Sequence, residues 1–153
     1  MKIFKYQVGL LWVGPAFFNY NTTVKPHTHE YCHLLFMTKG RFKSGVGKEQ
    51  YILEVGDVLL ALENTEHWHE AFPNEDVNFV EVKFVVYDPM FHSKLEQLSP
   101  VFKADEFSDI LISNIVRTAN LPGEDMANAC GAYFMSFLYH SLGILNAPPP
   151  STR

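Results

Sequence analysis

The chain has 153 residues, 47% of them hydrophobic and 14% aromatic, with a formal net charge of −5. This length suits one domain with a real core, and the apolar content excludes a disordered chain. The acidic balance and the lack of any basic run exclude a nucleic-acid surface on this chain, which would need clustered Lys and Arg.

The first ninety residues read as β. FKYQVGLLWV, YCHLLFMT, RFKSGVG, EQYILEV, DVLLALE and VNFVEVKFVVY are short runs rich in β-branched and aromatic residues. Turn signals separate them at Lys39-Gly40, Gly45 to Lys48, Val55-Gly56-Asp57 and Pro73 to Asp76. Connections this short favour antiparallel neighbours, as in a sandwich or barrel. In the last run Val80, Val82, Phe84 and Val86 share one face while Glu81 and Lys83 share the other, which is half-buried patterning.

The period then changes. Asp88-Pro89 suits an N-cap followed by Pro at the first helical position. Phe107, Ile110, Leu111, Ile115 and Val116 recur at helical spacing over residues 105–120. After Leu121-Pro122-Gly123, a second helix over Glu124 to Leu145 carries the stripe Met126, Cys130, Tyr133, Phe134, Phe137, Leu138, Leu142 and Leu145. Three segments result: a barrel over 1–88, a helical segment over 89–146 and a proline-rich tail over 147–153. The helices are more apolar than a solvent-facing appendage, so they pack on the barrel, on a partner's helix, or on both. Cys32 and Cys130 lie in an apolar strand and an apolar helix and read as reduced, buried thiols. Hydrophobic stretches broken well short of a membrane span, with no leader-like opening, suggest a cytoplasmic protein.

Three of the seven histidines fall within KPHTHEYCHLLFMTKG, at His27, His29 and His33. Odd numbering gives them one face in an extended chain, shared with Leu35 and Met37. On a straight strand His29 and His33 would stand roughly 13 Å apart, beyond the reach of metal–nitrogen bonds of about 2.0–2.1 Å. A common site therefore requires the chain to turn near Glu30 and Tyr31. A second pair, His67 and His69, flanks Trp68 and again shares a face. Converging imidazoles suit Zn, Ni, Fe or Cu, although a lone histidine is more often a hydrogen-bonded or rim residue.

The spacing from Gly14 through His27, His29, His33 and Gly40 resembles the first cupin motif, with His33 in the position of its Glu. Gly56 to His67 resembles the second motif, with Leu62 and Asn64 replacing its Pro and Gly and Ala71 replacing its final Asn. The resemblance implies a mainly β protein: a jelly-roll-like cupin barrel followed by two C-terminal helices. Over nearly its whole length the chain is most similar to the N-terminal sensor domain of AraC-type transcription regulators.

That resemblance implies a module that is not an enzyme and binds a small effector such as a sugar. It implies a homodimer formed through the trailing helices, with DNA bound only by a helix-turn-helix domain that this chain lacks. The expected effector pocket is His27, His29, Tyr31, His33, His67, His69, Val82 and Phe84. The expected dimer face is Tyr133, Phe134, Phe137, Leu138, Ser141 and Leu142. A divalent metal (Zn, Ni or Fe) would take His27, His29, His33 and His67. The alternative is a small metal-dependent cupin enzyme, an oxygenase or isomerase. Against it, the usual Glu is replaced, and the nearby carboxylates Glu30, Glu66 and Glu70 are expected to face away from the histidines.

Overall fold

A computed structural model describes residues 7–145. The start of the first expected strand and the proline-rich tail lie outside the described residues. The strands are β1 (Val8–Phe18), β2 (Thr23–His27), β3 (Cys32–Lys39), β4 (Phe42–Val46), β5 (Glu49–Leu53), β6 (Asp57–Ala61), β7 (His67–Ala71), β8 (Val77–Val86) and β9 (Val101–Lys103). They form two sheets, ordered β1-β8-β3-β6-β9 and β2-β7-β4-β5, with antiparallel pairing throughout.

The sequence pattern accounts for the placement. Proline lacks a ladder donor and is tolerated at sheet edges; Pro15 lies on β1 and Pro26 on β2, each an edge strand. Gly40 (φ 73°) and Gly56 (φ 90°), the glycines of the two motif turns, both adopt left-handed backbone. Strands β2, β7 and β9 are not among the apolar runs. The first is a polar edge, the second turns histidines inward, and the third has three residues. Strand β9 pairs with β6, so the segment after residue 88 contributes a strand as well as helices.

Three helices follow the barrel: α1 (Pro89–Glu96), α2 (Glu106–Ala119) and α3 (Glu124–Leu145). Asp88 caps α1 by accepting from the Met90 amide at 3.0 Å, with Pro89 in the first turn, as the sequence indicates. Asp105 caps α2 by accepting from the Ser108 amide at 2.9 Å. The buried stripe of α2 is Ser108, Leu111, Ile112, Ile115 and Thr118, whereas Phe107 and Ile110 are exposed. The stripe is rotated from the expected one because two hydroxyls can be buried: Ser108 Oγ donates to Asp105 and Thr118 Oγ1 to the Asn114 carbonyl. No helix among the described residues is long and apolar enough to cross a membrane.

The five-stranded sheet separates two apolar layers. Between the sheets lie Leu35, Met37, Phe42, Leu53, Leu59, Val77 and Phe79. On its outer face Cys32, Leu34, Phe36, Val80, Val82 and Phe84 pack against all three helices. Phe84 meets Phe134 edge to face, with ring centroids 4.9 Å apart. Both cysteines are free and buried in this outer layer. Burial, with a hydrogen bond to Glu63, pushes the Cys32 thiol up to about 12, and burial raises Cys130, so neither is a ready nucleophile.

This layering corrects two expectations. Phe134, Phe137, Leu138, Ser141 and Leu142 are buried within the chain's own core, so the face assigned to a dimer is already covered; Tyr133 is half-buried. Val82 and Phe84 point to the helices, away from the histidines. On β8 the apolar face is the outer one, because helices cover it.

Candidate metal centre

The histidines gather where the chain passes from one sheet to the other. Strand β2 ends at His27 and β3 starts at Cys32, with bends at Glu30 and Tyr31. The turn that the distance argument required is therefore present, and the rings of His29 and His33 have centroids 5.5 Å apart. The β2–β7 pairing sets His27 opposite His67, after a register irregularity beyond Val24 that includes Pro26. Asn64, in the place of the motif glycine, adopts the same left-handed backbone at φ 61°, which Asn tolerates best among non-glycine residues. Its amide donates to the His29 carbonyl at 2.9 Å, joining the β6–β7 turn to the histidine loop.

One ring nitrogen from each of His27, His29 and His67 lies within 4.8 Å of the other two. Nδ1 of every ring is committed. Nδ1 donates to the carbonyl of Lys25 in His27 (2.8 Å), of Tyr31 in His29 (2.9 Å) and of Thr65 in His67 (2.9 Å). A carbonyl only accepts, so Nδ1 carries the proton and Nε2 keeps a bare lone pair in each ring. The Nε2 atoms of His29 and His67 are buried without a hydrogen-bond partner. Buried polar atoms are nearly always paired, so these nitrogens fit a metal ion. Metal–nitrogen bonds of about 2.0–2.1 Å set ligand nitrogens roughly 3.3 Å apart, which falls within the 4.8 Å limit of the triad. Burial holds His29 below its usual range and pushes His67 down to about 4, with the neighbouring histidines adding to the effect. Neutral imidazole is the form that binds a metal.

The structure thus gathers three of the four expected ligands, with His33 standing beside them. Both ring nitrogens of His33 are buried without a hydrogen-bond partner, and its Nε2 lies 3.5 Å from Glu81 Oε2. Tyr31 stacks flat on His29, centroids 3.8 Å apart at 7°. His69 has its ring centroid 6.0 Å from that of His67, but its Nδ1 lies 2.6 Å from Ser44 Oγ and its ring packs against Phe18 and Phe42; burial, with His67 adding to it, pushes it down to about 3.

Sequence reasoning missed Glu81 and Lys83. Because the outer face of β8 meets the helices, these two turn inward, beside Leu35 and His33 in register. Glu81 accepts from Lys83 Nζ at 3.2 Å. Burial alone would raise Glu81, but His33 and Lys83 overcome it and hold the carboxyl below its usual range. Two charges in the middle of VNFVEVKFVV were the available signal. The carboxylate whose absence argued against catalysis is therefore present on a strand, and the expectation that the chain is not an enzyme gives way. A triad of bare imidazoles with an ionised carboxylate beside it points toward one.

Comparisons with known proteins find one family match and remote structural likenesses. Residues 17–83, somewhat under half the chain, match the family model described as the Cupin domain. A predicted oxalate decarboxylase from Thermotoga maritima is 17% identical over 50% of this chain and 68% of its own, with a TM-score of 0.47. KdgF from Halomonas is 19% identical over 51% of this chain and 70% of its own, with a TM-score of 0.43. The DMSP lyase DddQ from Ruegeria pomeroyi is 11% identical over 51% of this chain, with a TM-score of 0.44; the matched part spans 38% of that chain. No curated protein matches. The protein carries a cupin domain at residues 17–83 and has the cupin fold, two β-sheets followed by C-terminal helices.

Proposed function

We propose that the protein is a small metal-dependent cupin enzyme that moves protons on a compact substrate at the barrel mouth. The observation that carries this reading is the bare-imidazole triad of His27, His29 and His67, with Glu81 3.5 Å from the adjoining His33. His27, His29 and His67 would hold a divalent ion, which when bound supplies Lewis-acid polarisation of a substrate oxygen.

The chain's own groups do the rest. The carbonyls of Lys25, Tyr31 and Thr65 fix each ligand ring in one tautomer, so that no proton need leave Nε2 on binding. Glu81, whose carboxyl His33 and Lys83 hold below its usual range, is the proton acceptor, and His33 beside it takes or returns a proton at Nε2. The stacked Tyr31 shields one face of His29 from water. These roles suit an isomerase-type reaction better than one requiring a strong external oxidant. The residues that the sensor reading gave to a partner, Phe134, Phe137, Leu138, Ser141 and Leu142, are buried in the chain's own core, and the histidine site supports the enzyme reading better.

The test is metal-dependent exchange of substrate protons for solvent deuterium, followed by NMR across a panel of small hydroxy- and oxo-compounds. The metal-loaded protein should exchange at least one compound, whereas metal-free protein and Glu81→Gln should not. Exchange that persists in both would contradict the proposal.

A further inference from the structure

The ligand triad contains no carboxylate. Three neutral imidazoles leave the charge of a divalent ion uncompensated, and His33 occupies the position where the motif places an acidic residue. The inward carboxylate Glu81 is already engaged, with Oε1 on Lys83 and Oε2 toward His33. With a divalent ion held by the triad, the mouth would carry a surplus of positive charge. Lys83 is the group that meets solvent there. Its side chain is 33% exposed against 16% for Glu81, and its ammonium lies 5.6 Å from the centroid of Tyr31, whose ring stacks on His29. An ammonium has three donors in different directions, and Glu81 accepts from one side only.

We propose that Lys83, steadied by Glu81 and Tyr31, forms an anion subsite beside the histidine triad, so that the substrate is a small organic acid bound through its carboxylate. This rests on the metal-dependent reading above. Lys83 would orient the acid by a charge-assisted hydrogen bond, which is shorter and stronger than one between neutral groups. The reacting carbon would then lie between the triad and the Glu81–His33 pair. A neutral isostere would leave the surplus charge unanswered.

Cobalt(II)-loaded protein offers a readout independent of turnover, because bound acid alters the visible bands of the ion. Propionate and propionamide have nearly the same shape and differ in charge. Propionate should bind at least tenfold more tightly than propionamide, and Lys83→Met should reduce that preference to under threefold with cobalt stoichiometry unchanged. Lys83→Arg, which keeps the cation, should retain most of the preference, and so should Lys103→Met, which removes a lysine on the far side of the fold. Equal binding of acid and amide by the parent protein, or an undiminished preference in Lys83→Met, would overturn the subsite while leaving the metal reading intact. Failure of the parent protein to bind cobalt would overturn both.

Discussion

His33 Nε2 and Glu81 Oε2 lie 3.5 Å apart across the antiparallel β3–β8 pair, bringing a carboxylate to the edge of a histidine triad that has none of its own. If Glu81 moves protons and does not hold the metal, Glu81→Gln should leave metal stoichiometry unchanged. In a turnover assay it should lower kcat by roughly 10²- to 10⁴-fold with little change in KM, the usual weight of a general acid–base group. Metal analysis alongside kinetics checks this. Loss of the metal in Glu81→Gln would make Glu81 a ligand instead.

The α3 face offers a stability test. Phe134 and Phe137 are fully buried between α3, its neighbours and the sheet. Either one changed to Ala should cost about 3–5 kcal/mol in urea unfolding, the typical loss for a buried aromatic. Phe137→Lys should give misfolded or aggregated protein. A well-folded Phe137→Lys variant that merely changed its sedimentation coefficient would return this face to a partner.

Asp105 links stability to pH. The Ser108 amide, then His140, hold its carboxyl down at about 2. A carboxylate depressed in the folded state contributes stability above its unfolded pKa of about 3.8, and that contribution is lost as pH falls through the folded value. Asp105→Ala should therefore be less stable than the parent by about 1 kcal/mol at pH 7, the usual worth of a cap. The gap should close between pH 4 and pH 2. Thermal melts across that range decide it, and a gap that widens in acid would contradict the assignment.

Asn64 couples backbone conformation to the site. Its φ of 61° suits Gly or Asn, while a β-branched residue is strained there. Asn64→Gly should be within about 0.5 kcal/mol of the parent, and Asn64→Val should cost about 1–3 kcal/mol. Because the Asn64 amide holds the His29 carbonyl, the Val variant should also bind metal more weakly. Isothermal titration with Zn separates the two effects.

Much of this molecule was legible in its residues, and the failures share one cause. The odd parity of His33, Leu35 and Met37 placed them between the sheets, and the reach of a metal bond required the bend observed at Glu30 and Tyr31. The Asp88-Pro89 signal marked a helix start. Strand β8 was misread because its apolar face was taken as the barrel interior. The helices bury the outer side of this sheet at least as well as the second sheet buries the inner side, so period-2 patterning could not tell inside from outside. That ambiguity sent Val82 and Phe84 to the wrong side and hid Glu81 and Lys83. The face of α3 fell to the same ambiguity: an apolar stripe shows that something covers it, and only the packing shows what.

The most direct test of the central claim is metal stoichiometry and affinity, measured by elemental analysis and by competition with a chelating dye on protein free of any affinity tag. The parent protein should bind one equivalent of Zn or Ni. His67→Ala, which removes the most buried of the three ligands, should weaken binding at least 100-fold, and His69→Ala should change it less than tenfold. Less than a tenth of an equivalent after soaking the parent protein, or equal binding by His67→Ala, would contradict the metal centre.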